Sequence, residues 1–185
     1  MSNKRVPKFL SLESRDPARN TEVASASQTL GIPLASDGDI QTGELRVVFQ
    51  TGALELWDHT CVRRGMRIDF SDIDVRAATG NLSKKQPLGK AVGRETHHIL
   101  DATDGFGHDA FLLACMGYKV TACERSPVVY TLLKDALDRA EKTPQLAQAL
   151  GGRLTIQNTD SIHWLTEHKT TREAIYLDPM FDPAH

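Results

Sequence analysis

The sequence predicts an α/β fold with a parallel sheet, preceded by a small β-rich segment. Three observations predict it. From residue 97 onward, short apolar runs of strand length alternate with stretches of helical period. Between residues 28 and 75 the runs are strand-like only, separated by turns containing Gly or Asp. Each of the four later strand-like runs ends at an acid, on the edge where such sheets bind ligands.

At 185 residues the chain is one domain, or one domain with a small appendage. About 70% of the unfolded surface can be buried at this size, so no covalent staples are needed. Three cysteines, Cys61, Cys115 and Cys123, form no C-x-x-C pair and leave one over, which argues against a disulfide framework and for a reducing cytoplasm. Cys115 and Cys123 read as core. The seven histidines show no metal spacing with a third ligand, so no metal is expected. No apolar run approaches the roughly 20 residues of a membrane span, and the N-terminus lacks the apolar region of a secretory signal. A net charge of −2 excludes a general polyanion binder and leaves room only for a local basic patch.

Residues 1–27 are polar and carry Pro7 and Pro17, and are expected to be a flexible arm. Residues 28–75 form the lead-in, with strands expected at "LRVVFQ", "LELWD" and "MRIDFSD". In the last of these, Met66, Ile68 and Phe70 alternate with Arg67 and Asp69, the period of a half-buried strand. Residues 76–94 hold Arg76, Lys84, Lys85, Lys90 and Arg94 with no acid among them. Pro87 and three glycines argue against one continuous helix there. This stretch is either a solvated loop or a loop that contacts nucleic-acid phosphates.

The α/β domain is expected over 95–185. "HHILD" is a short buried strand and "GHDAFLLACMG" a helix whose Gly117 suits a left-handed terminus. "YKVTACE" is the second strand. "SPVVYTLLKDALDRAEK" is a helix with Ser126 as N-cap, Pro127 at its first position, and Val129, Leu132, Leu133, Ala136, Leu137 and Ala140 on one face. Pro144 opens a short helix ended by Gly151 and Gly152. "RLTIQN", "SIHWLTEH" and "AIYLD" complete the series as strand, helix and strand.

Chemistry is expected at the strand ends: Asp101 through Gly107, then Glu124, Asp160-Ser161, and Asp178-Pro179-Met180-Phe181. Glu124 is placed to accept both ribose hydroxyls of an adenosine. A dinucleotide fingerprint needs G-x-G-x-x-G beside a pyrophosphate. Here Asp101, Asp104 and Asp109 surround Gly105 and Gly107. At about 4 Å each like-charge pair costs on the order of 4 kcal/mol at an effective dielectric of about 20, which disfavours a pyrophosphate. A ligand with an ammonium and a sulfonium is favoured, and S-adenosyl-L-methionine is therefore the expected cofactor. Asp160 either meets the adenine amino group or caps the following helix, and one residue can do both.

An exocyclic amino group on a base is a poor nucleophile because its lone pair is delocalised. Asp178 and the Pro179 carbonyl can accept its N–H bonds and draw the lone pair out of conjugation, while Phe181 stacks the flipped base. Alone, D-P-M-F is as good a turn as a site. Following three strand-end acids, it points to an amino methyltransferase.

"DATDGFGHDAF", "ERSPVV", "TDS" and "YLDPMF", with "GKAVG" upstream, resemble the ribosomal RNA small subunit methyltransferase J family. The resemblance runs from about residue 28 to 182, with "LRVVFQTGALELWD" and "IDF" fitting the lead-in. It implies a bacterial cytoplasmic enzyme with a Rossmann-like class I methyltransferase sheet behind a small N-terminal β segment. It also implies transfer of a methyl group to the N2 amino group of a guanine in 16S ribosomal RNA, free or in the assembled subunit. By position, His108-Asp109, Glu124-Arg125, Asp160-Ser161 and Asp178 would contact the cofactor, and Asp178 to Phe181 would also face the base. The basic stretch becomes a candidate RNA-contacting loop. The first loop departs from the family's usual pattern, with Asp104 in place of Ala and His108 in place of a basic residue.

The chain stops four residues after Phe181, where class I methyltransferases add three further strands. The expectation is a C-terminally truncated product holding the first four strands, with "AIYL" as an open edge available for self-association. Two alternatives to the guanine enzyme stand: an amino methyltransferase for another RNA base, and a non-catalytic ligand- or RNA-binding remnant.

Overall fold

The computed structural model describes residues 10–35, 44–58, 65–76, 82–93, 95–168 and 174–179. The chain divides into two compact units, Met1–Ile68 and Asp69–His185.

The first unit holds strand β1 (Leu10–Ser14), a 3-10 turn (Pro17–Arg19), helix α1 (Asn20–Leu30), and strands β2 (Leu45–Gln50) and β3 (Ala53–Asp58). The sheet order is β1-β2-β3; β1 runs parallel to β2, and β2 and β3 form an antiparallel hairpin turned at Gly52 (φ 86°). Asp16 starts the turn by accepting the Ala18 N–H at 3.0 Å, and Gly31 ends α1 in the left-handed region at φ 65°. Leu10, Leu12, Val47, Val48, Phe49 and Leu54 are buried and form the core here. Buried Arg46 is neutralised by Glu44 at 2.9 Å and Glu13 at 3.2 Å.

Two expectations change. Residues 10–27, expected within a flexible arm over 1–27, form a strand, a 3-10 turn and most of a helix. Leu10 is in register with Leu45 and Leu12 with Val47, so the strand is built by a pairing some 35 residues away that no local pattern displays. Residues 1–9 lie outside the described residues. "MRIDF" is not a strand: Met66 forms a single bridge to Leu56, while Ile68 and Phe70 are buried outside any strand.

The second unit holds α2 (Pro87–Val92), β4 (His98–Asp101), α3 (His108–Cys115), β5 (Lys119–Cys123), α4 (Pro127–Lys142), α5 (Pro144–Leu150), β6 (Leu154–Gln157), α6 (Ser161–Glu167) and β7 (Ala174–Tyr176). Its four strands are all parallel in the order β6-β5-β4-β7. The chain steps outward from β4 to β5 to β6 and then returns to the other side of β4, which creates a switch point between β4 and β7. Ile99, Leu100, Val120 and Ala122 are fully buried at the sheet centre. The helix α4 starts on a Ser126 side-chain cap, with Pro127 in its first turn, and buries Leu132, Leu133, Ala136, Leu137 and Ala140.

Phe70 stacks on Phe111 of α3 with ring centroids 4.3 Å apart. In the basic segment, residues 82–86 are turns and α2 follows. Tyr118 fixes that helix by donating to the carbonyls of Gly89 (3.2 Å) and Gly93 (3.1 Å). At the edge, Ile175 and Leu177 of the β7 segment are 51% and 64% exposed. Cys115 and Cys123 are buried, and burial pushes the Cys115 thiol up to about 11; Cys61 lies outside the described residues. Among the described residues no helix is long and apolar enough to cross a membrane.

Candidate functional site

The carboxyl ends of the four parallel strands bring together residues far apart in sequence. Asp101 ends β4, Glu124 follows β5, Asp160 follows β6 and Asp178 follows β7. They border two neighbouring clefts. The larger, about 520 Å³, is lined by Gly105, Phe106, Glu124, Arg125, Asp160, Ser161, Ile162 and Pro179 among others. The smaller, about 280 Å³, is lined by Asp101, Asp104, Gly107, His108, Asp109, Tyr176 and Asp178 among others, and by no lysine or arginine among the described residues.

The loop between β4 and α3 is held by short-range bonds. Asp101 Oδ1 accepts the Thr103 N–H at 3.0 Å, and the Gly107 N–H donates to the Asp104 carbonyl at 2.9 Å. Gly105 (φ 57°) and Gly107 (φ 78°) take backbone angles that a side chain resists. At Gly107 space is also lacking, since a Cβ would lie 2.5 Å from Leu133 Cδ2 and 3.2 Å from Phe70 Cζ. The loop is thereby pressed against the core, and α3 begins directly after it.

Beyond β5, Glu124 Oε1 accepts the Ser126 N–H at 2.5 Å, and the Asn158 side chain donates to the Glu124 carbonyl at 3.0 Å. Asp160 Oδ1 caps α6 by accepting the Ile162 N–H at 2.9 Å, so the capping reading holds while the residue also lines the larger cleft. The β7 end is tied to the β4 loop twice. Thr103 Oγ1 accepts the Asp178 N–H at 2.8 Å, and the Ala102 N–H donates to the Tyr176 carbonyl at 3.0 Å. Tyr176 also reaches across to α3, its hydroxyl donating to Asp109 Oδ2 at 2.6 Å.

The electrostatics are those of crowded acids. Burial, with Asp109 and Asp178 nearby, raises Asp101 to about 6 against the opposing bond from Thr103. Burial raises Asp104 to about 8, helped by the charges of Asp101, Glu124 and Asp109. Burial also raises Glu124, partly offset by N–H donors from Ser126 and Gly105 and by the charge of Arg125. The Tyr176 hydroxyl is raised by burial and by its bond to Asp109. Acids that burial and mutual repulsion hold back from ionising suit a ligand that brings positive charge to the smaller cleft and hydroxyls to Glu124.

Of the residues singled out from sequence, Asp101, Gly105, Gly107, His108, Asp109, Glu124, Arg125, Asp160, Ser161, Asp178 and Pro179 all line one or both clefts. Met180 and Phe181 lie outside the described residues. Of the basic set, Arg76 is paired bidentately with Asp74 at 2.8 Å, and the Lys84 ammonium sits 4.1 Å from the centre of the Tyr118 ring. Neither these two nor Lys85 and Lys90 line either of the two clefts described above; Arg94 lies outside the described residues. Sequence reasoning missed Thr103 and Tyr176. The signal for Tyr176 was available, since it stands two residues before Asp178 at the end of a strand. Among the described residues no cluster of His, Cys, Asp or Glu could hold a metal ion.

A family model described as "Putative SAM-dependent methyltransferase" matches residues 34–185. Among curated proteins, the ribosomal RNA small subunit methyltransferase J of Nitrosococcus oceani is 33% identical over 184 residues, covering 94% of this chain and 68% of that protein. The enzyme of the same name from Halorhodospira halophila is 34% identical over 164 residues, covering 85% of this chain and 61% of the relative. That from Desulfotalea psychrophila is 43% identical over 102 residues, covering 52% of this chain and 38% of the relative. The matches thus span between 38% and 68% of the length of these relatives. Among solved structures, a SAM-dependent methyltransferase from Neisseria gonorrhoeae superposes with a TM-score of 0.68 at 24% identity, over 92% of this chain and 69% of that one, a likeness of fold.

Proposed function

The chain belongs to the ribosomal RNA small subunit methyltransferase J family of S-adenosylmethionine-dependent methyltransferases, and we propose that it methylates the N2 amino group of a guanine in small-subunit ribosomal RNA. The observation that carries this reading is the ring of strand-end acids, Asp101, Glu124, Asp160 and Asp178, around two adjoining clefts. Burial leaves Asp101 and Asp104 short of compensating charge, and this fits S-adenosylmethionine. A cationic methionine portion relieves the acids of the smaller cleft. Glu124 retains acceptor capacity for a ribose diol, and Asp160 and Ser161 offer polar groups to an adenine.

When bound, the cofactor supplies an electrophilic methyl group on a sulfonium. The protein's own part is to hold and orient. Asp178 and the Pro179 carbonyl accept the N–H bonds of the guanine amino group, which frees the nitrogen lone pair and aims it, and Phe181 stacks the base. Thr103 steadies Asp178 by its backbone bond. Positioning supplies most of the rate, and no general base is required before attack. Lys84, Lys85 and Lys90, with Arg76 and Arg94, are the proposed contacts for RNA phosphates. The substrate is the small-subunit RNA or its assembled particle, in the cytoplasm. The names of the relatives support this choice of substrate.

The test is calorimetric titration of the chain with S-adenosylhomocysteine and with NAD, followed by radiolabelled methyl transfer to small-subunit RNA and nucleoside analysis of the product. Binding of the first ligand alone and recovery of N2-methylguanosine are expected. Binding of NAD instead, or label on adenine, would overturn the corresponding half of the reading.

A further inference from the structure

Asp104 stands apart from the acids around it. Asp101 accepts an N–H from Thr103, Asp109 accepts the Tyr176 hydroxyl, and Glu124 accepts an N–H from Ser126. The two side-chain oxygens of Asp104 are buried and meet no hydrogen-bond partner among the described residues. The residue is only 9% exposed, so bulk water does not substitute. Its side chain caps no helix among the described residues, and its backbone carbonyl accepts the Gly107 N–H. An alanine could do as much. A buried carboxyl that serves nothing in the fold and lines a cleft is built for what enters the cleft.

Among the described residues, no lysine or arginine lines the cleft it borders. Asp101 approaches from the end of β4, His108 and Asp109 from the first turn of α3, Tyr176 and Asp178 from β7 and the residues after it, and Glu124, next to Arg125, from the end of β5. We propose that the Asp104 carboxyl is a binding group for the cationic methionine portion of S-adenosylmethionine, protonated before the ligand arrives and ionised once it is in place. The O–H bond breaks, the proton passes to the buffer, and the carboxylate left behind is neutralised by the ligand's positive charge. The raised affinity of Asp104 for its proton, at about 8, agrees with a neutral resting form at pH 7. This inference rests on the cofactor assignment made above.

Calorimetry at pH 7 in buffers of low and high ionisation enthalpy reads the proton directly. The wild type, Asp104→Asn and Asp104→Ala are titrated with S-adenosylmethionine and with methylthioadenosine, which keeps the nucleoside and lacks the amino acid. The wild type is expected to release roughly one proton per S-adenosylmethionine, and its affinity to rise about tenfold from pH 6 to pH 7. Both variants lose most of that release and most of that slope, and methylthioadenosine releases no proton from any of the three. S-adenosylmethionine binding to the wild type without proton release overturns the inference and leaves the cofactor assignment standing, whether or not the variants fold. Failure of both ligands to bind the folded wild type overturns the assignment and the inference together.

Discussion

Tyr176 and Asp109, 67 residues apart in the chain, are joined by a 2.6 Å hydrogen bond from the phenol to the carboxylate. The bond ties the end of β7 to the first turn of α3, the two elements on either side of the smaller cleft. Tyr176→Phe removes the donor without removing the ring. A bond to a charged acceptor in a half-buried setting contributes about 1–2 kcal/mol. The urea midpoint should fall accordingly, and S-adenosylhomocysteine should bind about three- to tenfold more weakly because Asp109 is no longer held. An unchanged midpoint and affinity would mean that the bond is dispensable.

The glycines of the β4–α3 loop separate two effects that are usually confounded. Both Gly105 and Gly107 have positive φ, so either alanine costs about 1–2 kcal/mol of backbone strain. At Gly105 nothing but the Thr103 carbonyl, at 3.7 Å, is near the added methyl. At Gly107 the methyl would drive into Leu133 and Phe70, at 2.5 and 3.2 Å. Gly107→Ala should therefore cost about 1–3 kcal/mol more than Gly105→Ala, the usual penalty of overpacking. Paired denaturation curves check this, and equal losses would show that Leu133 moves aside freely.

Much of this architecture was legible in the sequence because its signals are local. Ser126-Pro127 opens α4, Gly151 closes α5 at φ 55°, the acids at 101, 124 and 178 follow directly on apolar runs, and Asp160 stands three residues after β6. What was hidden depends on distant partners. The strand at Leu10–Ser14 exists because Leu45–Phe49 pairs with it, and polar flanks with two prolines read locally as an arm. Phe70 looked like one tooth of a strand, yet it is buried by stacking on Phe111. Asp101, Asp104 and Asp109 were visible as acids. Only the folded loop reveals that the carboxylates of Asp101 and Asp109 have partners and that the Asp104 carboxyl has none among the described residues.

The acid cluster also sets how stability depends on pH. Asp101, Asp104 and Glu124 all hold protons more tightly folded than unfolded, with Asp101 near 6 and Asp104 near 8. Their contribution is full below about pH 4, where both states are protonated, and is lost as pH rises through 6 and then 8. Glu13 acts oppositely, since its bonds to Arg15 and Arg46 lower it against the effect of burial, but its contribution is lost only in acid, below the range where the cluster titrates. The ligand-free chain should thus be more stable at pH 5 than at pH 8.5. Asp104→Asn should flatten the upper part of that slope. Chemical denaturation at pH 5, 7 and 8.5 reads both, and a stability that climbs over this range would contradict the burial of the cluster.

Asp178 offers the sharpest separation of chemistry from folding. Its side chain is exposed, and the bond that fixes it, from its own N–H to Thr103 Oγ1, is made by backbone and is available to alanine at this position. Asp178→Ala should leave the denaturation midpoint within about 0.5 kcal/mol of the wild type, as for an exposed position. If the carboxylate orients the guanine amino group, methyl transfer should fall about a hundredfold or more, the usual consequence of losing reactant alignment. Thr103→Val makes the complementary change, keeping the carboxylate and releasing its backbone, and should lower transfer less. Single-turnover transfer of a labelled methyl group to small-subunit RNA, run beside urea denaturation, measures both quantities on the same preparations. Full transfer by Asp178→Ala would remove this residue from the reaction, whereas a matched loss of transfer and stability would reassign it to the fold.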